Sequence, residues 1–367
     1  RIHTAAEQNP ARYSPAQRLS RSGIRYGGMY LLSRFQQACL ACLVLAAPAQ
    51  ASDKRETNDV LNLPAPQSNR ATESNLYGIA RAGSRLVAVG QRGIVLYSDD
   101  KGRSWTQAQV PVRSVLLDVF FVNDKLGWAV GHDGVILHSV DGGETWARQL
   151  DGYQLIDIGL AYYGQLAREN PDNEAYAIVL GEFEFAKEQG ADKPFLIVYF
   201  TGEKQGYAMG AYGFAVATED GGSNWVPIME QGPLSFLHVF DYEIVGERFF
   251  LSQEMGHILT GQMGQTTNVA SIIPFYDGSF YTMISSKGGD LVVAGLRATA
   301  FRSDDGAQPR ELLELPTTAS INASLRLADG RLVLVSQNGD VLVSDDDGRT
   351  FHNIALDETF PLSDLVE

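Results

Sequence analysis

The sequence predicts an all-β chain, a seven-bladed β-propeller whose last blade is incomplete, with a helical insertion between the second and third repeats. Three observations carry this expectation. A short phrase, Ser/Thr-x-Asp-x-Gly-x-x-Trp/Phe, recurs along the chain. The copies lie about 41 residues apart, the length of one four-stranded blade. A glycine-closed apolar hairpin precedes each full copy at fixed distance.

The phrase comes first. Its full copies are Ser98, Asp100, Gly102 and Trp105; Ser139, Asp141, Gly143 and Trp146; Thr218, Asp220, Gly222 and Trp225; and Ser344, Asp346, Gly348 and Phe351. A degenerate copy begins Ser303-Asp304-Asp305-Gly306. The Asp can accept hydrogen bonds from the N–H groups of its own turn. The Gly permits left-handed backbone. The aromatic is expected to pack the hairpin onto the neighbouring blade. The phrase is therefore structural, a turn rather than a site.

The hairpins come next, at 87–96, 128–137, 207–216 and 333–342. Each joins two apolar, β-rich runs through a Gly-containing two-residue turn. Gly93, Gly134, Gly213 and Gly339 each stand five residues before the box Ser or Thr. That spacing exposes a further unit at 256–261 whose box has decayed, with no Asp or Trp following. The fifth unit keeps the spacing with Ala298 in place of Gly.

One interval is nearly doubled, and residues 153–194 account for it. Leu155, Ile158, Ala161 and Tyr162 fall at helical spacing, as do Ala175, Ile178, Val179 and Phe183. Pro171-Asp172 restarts the chain and Gly190 stops it, so two helices are expected. The insertion is acidic, and its stripe of Leu155, Ile158, Tyr162, Ile178, Val179 and Phe183 is expected to face the ring or the partner helix. At the ends, 60–64 resembles the strand that follows a box and 360–367 the first strand of a unit. Together they are expected to close the seventh blade.

The N-terminal region reads as an address. Residues 1–28 are expected to be upstream of the true start at Met29, and 29–51 form a signal peptide. Arg34 supplies the positive region, 38–47 the apolar region, and Ala49-Gln50-Ala51 the cleavage site. Cleavage after Ala51 would leave residues 52–367 as a periplasmic propeller domain. The rival is a lipoprotein anchored at Cys42, but Cys39-Leu40-Ala41 fits a lipobox poorly. Both cysteines fall within the signal, so no disulfide or thiolate chemistry is expected beyond it.

The formal charge is −15, although residues 1–51 carry six bases and one acid. So acidic a chain is a poor ligand for nucleic acid or anionic lipid.

The phrase resembles the Asp-box of sialidase-type BNR repeats. The longer string Gly127-Trp128-Ala129-Val130-Gly131-His132-Asp133-Gly134-Val135-Ile136-Leu137-His138-Ser139-Val140-Asp141-Gly142-Gly143-Glu144-Thr145-Trp146 is similar to the repeat of the photosystem II stability/assembly factor family. The resemblance covers residues 76–356, with the helical insertion as a departure from the plant and cyanobacterial pattern and a likeness to bacterial members. It implies an exported, non-catalytic, monomeric protein that binds a membrane protein or its exported loop and assists a membrane complex. Neither cofactor nor metal is expected. Two alternatives stand beside it: a sialidase-like glycan-binding or glycoside hydrolase propeller, and an accessory subunit of an envelope transporter.

Any site should lie on the face opposite the boxes, where loops vary on a rigid scaffold. The hairpin tips there supply Arg92, His132, Asp133, Tyr212, Glu254, Arg297, Gln337 and Asn338 as candidate binding residues. The alternative is that these are ordinary turn residues. No sialidase Phe/Tyr-Arg-Ile-Pro signature exists, and Phe301-Arg302-Ser303 is the nearest echo. The histidines form no H-E-x-x-H motif, and Asp345-Asp346-Asp347-Gly348 lacks the distal Glu of a calcium loop.

Overall fold

Six four-stranded antiparallel sheets follow one another along the chain in a computed structural model. It describes residues 59–229, 237–263, 269–272, 276–303, 311–356 and 359–367. The signal peptide, its cysteines and Asp304 to Gly306 of the degenerate box lie outside them.

In chain order the sheets, here blades 1 to 6, begin with the strands Leu76–Ala82, Leu116–Phe121, Phe195–Phe200, Val239–Val245, Phe280–Ser285 and Ile321–Arg326. Each of these first strands packs against the next, so they form the inner wall of a ring. The second strands run apolar on both faces because each is buried between neighbouring blades; Gly127–Gly131, Leu291–Gly295 and Leu332–Ser336 are buried throughout. Four second strands end in glycine for want of space: a Cβ on Gly131 would lie 2.0 Å from the Val115 carbonyl oxygen.

The boxes lie between the third and fourth strands and are built as expected. In blade 2 the Ser139 hydroxyl donates to Asp141 Oδ1 at 2.8 Å and accepts the Gly143 N–H at 2.9 Å. Asp141 Oδ1 also accepts the Thr145 N–H at 3.0 Å. Gly143 has φ 87°. Trp146 Nε1 donates to the Gly143 carbonyl at 3.0 Å. The Ser98, Thr218 and Ser344 boxes repeat the hydroxyl-to-Asp bond, at 2.8, 2.9 and 2.8 Å. Three of the box aromatics lie over the preceding blade, whereas Trp105 packs on Ile94 and Leu96 of its own blade. Trp146 shares a core with Val87 and Val89 of blade 1, and Phe351 with Val292 and Ala294 of blade 5.

The insertion forms two helices, α1 (Gly152–Glu169) and α2 (Glu174–Gln189). Asp151 and Gln154 make a reciprocal capping box on α1. The cap of α2 is Asn173, whose side chain reaches the Ala175 N–H. Gly190 ends α2 at φ 95°. Leu155, Val179 and Phe183 are buried in one core with Trp128, Phe200 and Phe214 of blades 2 and 3. Ile178 is a correction to the stripe: it is 56% exposed, because the contact between the helices falls on Val179 and Phe183 instead.

The ends divide the expectation. Leu362, Asp364 and Glu367 bridge blade 6 to blade 1: Leu362 N–H donates to Ser336 O, Ile79 N–H to Asp364 Oδ2, and Ala328 N–H to Glu367 Oε2. The tail thus lies where the first strand of a further blade would lie. The N-terminal segment does not join it. Val60–Asn62 is a single 3-10 turn, capped by the Asp59 carboxylate and packed on the link between blades 1 and 2. Arg113 N–H donates to Val60 O, and Ala65 N–H to Val110 O.

Candidate functional site

The hairpin tips share an unexpected geometry. Each joins the second and third strands not by a two-residue turn but by a 3-10 turn: Gln91–Gly93, His132–Gly134, Ala211–Gly213, Glu254–Gly256 and Leu296–Ala298. The middle residue of every one is left-handed and none is glycine. Arg92, Asp133, Tyr212, Met255 and Arg297 have φ of 58°, 60°, 57°, 57° and 55°. That conformation disfavours an L side chain, yet it persists at five equivalent tips. Tyr212 and Met255 are 47% and 58% exposed. The sixth tip, with Gln337 and Asn338, turns differently; only Gly339 there is left-handed, at φ 88°.

The tips are on the same end as the insertion. A Cβ on Gly134 would meet the Gly152 backbone at 2.7 Å, so α1 begins against the tip of blade 2. Lys193, just after α2, lies 5.0 Å above the Tyr212 ring and is held by Asp192 and Gln189.

The expected residues do not form one even ring. Tyr212 and Glu254 are brought together by a residue missing from the expectation, His238: its ring lies 4.8 Å from Tyr212, and its Nδ1 lies 2.8 Å from Glu254 Oε1. From His238 the aromatic run continues inward. His238 stacks on Phe240 at 6.1 Å, and Phe240 meets Tyr281 edge-on at 5.2 Å. Phe240 and Tyr281 are the extra residues of equivalent bulges at the start of the inner strands of blades 4 and 5. A bulge re-aims its side chain, here giving aromatic contact from blade to blade. Elsewhere Arg297 N–H donates to Ser320 Oγ, and Gln337 N–H to Ser320 O, which ties two tips together. Arg92 and His132 are exposed. Asp133 is half-buried, and burial pushes its carboxyl up.

The inner wall also carries a set of buried carboxylates. Asp118 Oδ2 accepts the Val198 N–H, Asp241 Oδ2 the Met283 N–H, and Asp364 Oδ2 the Ile79 N–H, each on the next inner strand. Each Asp also accepts the N–H of its own successor. Burial pushes Asp118 and Asp241 up to about 7 and Asp364 up to about 6.

Arg302, the echo of the sialidase signature, is 1% exposed and bonded to Asp290 and to the Asp347 carbonyl. It is a structural cation between blades 5 and 6. Among the described residues no group of three or more His, Cys, Asp and Glu has metal-binding proximity.

Comparison with known proteins places this geometry. Residues 97–162, from the first box through blade 2 into α1, match the family described as photosynthesis system II assembly factor YCF48. A solved YCF48 structure bound to a D1 peptide is 16% identical, covering 76% of this chain and 82% of that one at TM-score 0.56. YCF48 from Cyanidioschyzon merolae is also 16% identical, covering 79% and 87% at TM-score 0.56. The chain is similar to the YCF48 family. At that identity the solved structures speak for the fold, which the YCF48-like chain shares as a β-propeller. No curated protein matches it.

Proposed function

We propose that this YCF48-like propeller is an exported, non-catalytic factor that grips an extended segment of a membrane protein while a membrane complex is assembled. The observation that carries the reading is the aromatic run Tyr212, His238, Phe240 and Tyr281, which crosses blades 3 to 5 on the face opposite the boxes. Aromatic rings with one exposed edge are the side chains from which peptide-binding hot spots are built. Glu254 and Lys193 beside them supply charges of both signs for orientation. Support also comes from the likeness to a YCF48 whose structure holds a peptide. Export rests on the signal-like segment ending at Ala51.

The test is a crosslinking pull-down from membranes with the mature chain, compared with Tyr212→Ala and Phe240→Ala. Recovery of a membrane protein by the parent, lost in both folded variants, is the expected result. Equal recovery by all three would overturn the assignment of the run as the gripping surface. Export is checked separately by N-terminal sequencing of the processed protein, which should begin at Ser52.

A further inference from the structure

The boxes obey a seating rule that one blade breaks. In blades 2, 3 and 6 the aromatic of the box lies over a pair of residues on the second strand of the preceding blade. Trp146 lies with Val87 and Val89, Trp225 shares a core with Trp128 and Val130, and Phe351 lies with Val292 and Ala294. The equivalent pair on blade 3 is Tyr207 and Met209. The box of blade 4 has decayed, and the sequence holds no aromatic between Gly261 and Val269. Among the described residues, Tyr207 and Met209 instead line a pocket of about 130 Å³, with Tyr242, Leu251, Gln253 and Leu259 of blade 4 opposite them and Met263 and Val269 at its edge.

The lining carries one polar signal. Gln253 is 1% exposed, and its Oε1 has no hydrogen-bond partner among the described residues. A buried acceptor left unpaired costs roughly 1–3 kcal/mol, so in native structures such an atom calls for a partner. Strand alternation places it with Leu251, on the face of blade 4 that meets blade 3; Phe250 lies on the other face, in the core shared with blade 5. An apolar cavity of about 150 Å³ stays dry and admits a benzene-sized ring. The site therefore offers an aromatic-sized, largely apolar volume with an unpaired acceptor, Gln253 Oε1, in its wall.

We propose that the gap between blades 3 and 4 binds a free, small planar aromatic carrying one N–H or O–H donor, of the indole or phenol class. The ring takes the place of the missing box aromatic, between Tyr207 and Met209 on one side and Leu251 and Leu259 on the other. Its donor bonds Gln253 Oε1.

The test is calorimetric titration of the full mature chain with indole, and with benzothiophene as a ring of the same shape that lacks the N–H. Saturable indole binding at one site, about tenfold tighter than benzothiophene, is expected for one buried hydrogen bond. Gln253→Leu should erase that preference, and Ala215→Leu, which fills the cavity, should abolish both. Circular dichroism establishes that each variant is folded. Should Ala215→Leu not fold, the two-ligand comparison on the unmodified chain still decides. Absence of saturable indole binding, equal affinity for both rings, or a preference that survives Gln253→Leu would overturn the proposal. So would binding of a tryptophan-bearing peptide by a chain that ignores indole.

Discussion

Asp364 Oδ2 accepts the backbone N–H of Ile79 at 2.8 Å, joining positions 285 residues apart. The same bond, from a carboxylate at the same place on an inner strand, joins Asp118 to Val198 and Asp241 to Met283. The ring is thus stitched at three seams by buried acids, and its closing seam is made by the C-terminal tail.

These acids set the pH dependence of stability. Their folded values, about 6 to 7, lie above the ordinary 3.8. Between about pH 4 and 7 the folded chain holds protons that the unfolded chain has lost, so stability falls as pH rises through that window. The box acids act oppositely. Hydrogen bonds from Ser104 and Ser98 hold Asp100 down at about 2. At Asp346, burial pushes up, but bonds from Thr350 and Ser344 outweigh it and hold the carboxyl at about 2. Their contribution is present above pH 4 and lost toward pH 2. Thermal melts across pH should therefore peak near pH 4 to 5. Asp241→Asn should flatten the decline above the peak by on the order of 2 kcal/mol, losing one backbone bond but no buried charge. A variant whose Tm tracks the parent at every pH would contradict the seam.

The box tryptophans are not equivalent. Trp146 Nε1 is bonded to the Gly143 carbonyl, whereas Trp225 Nε1 is buried without a partner among the described residues. Substitution by Phe removes similar volume in both. Only in Trp146→Phe does it also strand a carbonyl. Chemical denaturation should show Trp146→Phe less stable than Trp225→Phe by about 1–2 kcal/mol. The reverse order would show that packing rather than the indole bond decides.

Much of this was legible in the sequence because repetition encodes it. Ser139, Asp141, Gly143 and Trp146 recur at fixed spacing and make the bonds that their chemistry suggests. The decayed repeat at Gly261 was found by the same spacing and is a strand of blade 4. His238, Phe240 and Tyr281 escaped because their role comes from bulges and from contacts between blades, which leave no period in the chain. The segment at 60–64 misled for a local reason. Its apolar pattern suits a strand, but the Asp59 carboxylate captures the Leu61 N–H and turns it.

The fifth tip carries a strain that one substitution removes. Arg297 and Ala298 are both left-handed, at φ 55° and 56°, whereas Gly93, Gly134, Gly213 and Gly256 fill the third position in the other 3-10 tips. An L side chain there costs about 1–2 kcal/mol, partly offset by the greater freedom of an unfolded glycine. Ala298→Gly should raise stability by about 0.5–1 kcal/mol in urea titrations. Met255→Gly relieves similar strain but removes an exposed side chain from the proposed gripping face, so it should weaken client recovery without loss of stability.

The helical insertion belongs to the core as much as to the face. A Cβ on Gly159 of α1 would lie 2.1 Å from the Phe183 ring of α2, and Phe183 in turn meets Phe214 of blade 3 edge-on at 5.1 Å. Tyr163 OH reaches the Met229 carbonyl beyond the last strand of that blade. Excising the helices would uncover these rings, so loss of client binding in such a deletion would not separate gripping from folding. Gly159→Val makes the separation. It should force the helices apart at a cost of about 1–3 kcal/mol and lower Tm, while the tips, carried by the strands, stay in place. If the helices clamp the client, recovery should fall in Gly159→Val well below its Tm. If the run of aromatic rings suffices, recovery should match the parent until the variant melts.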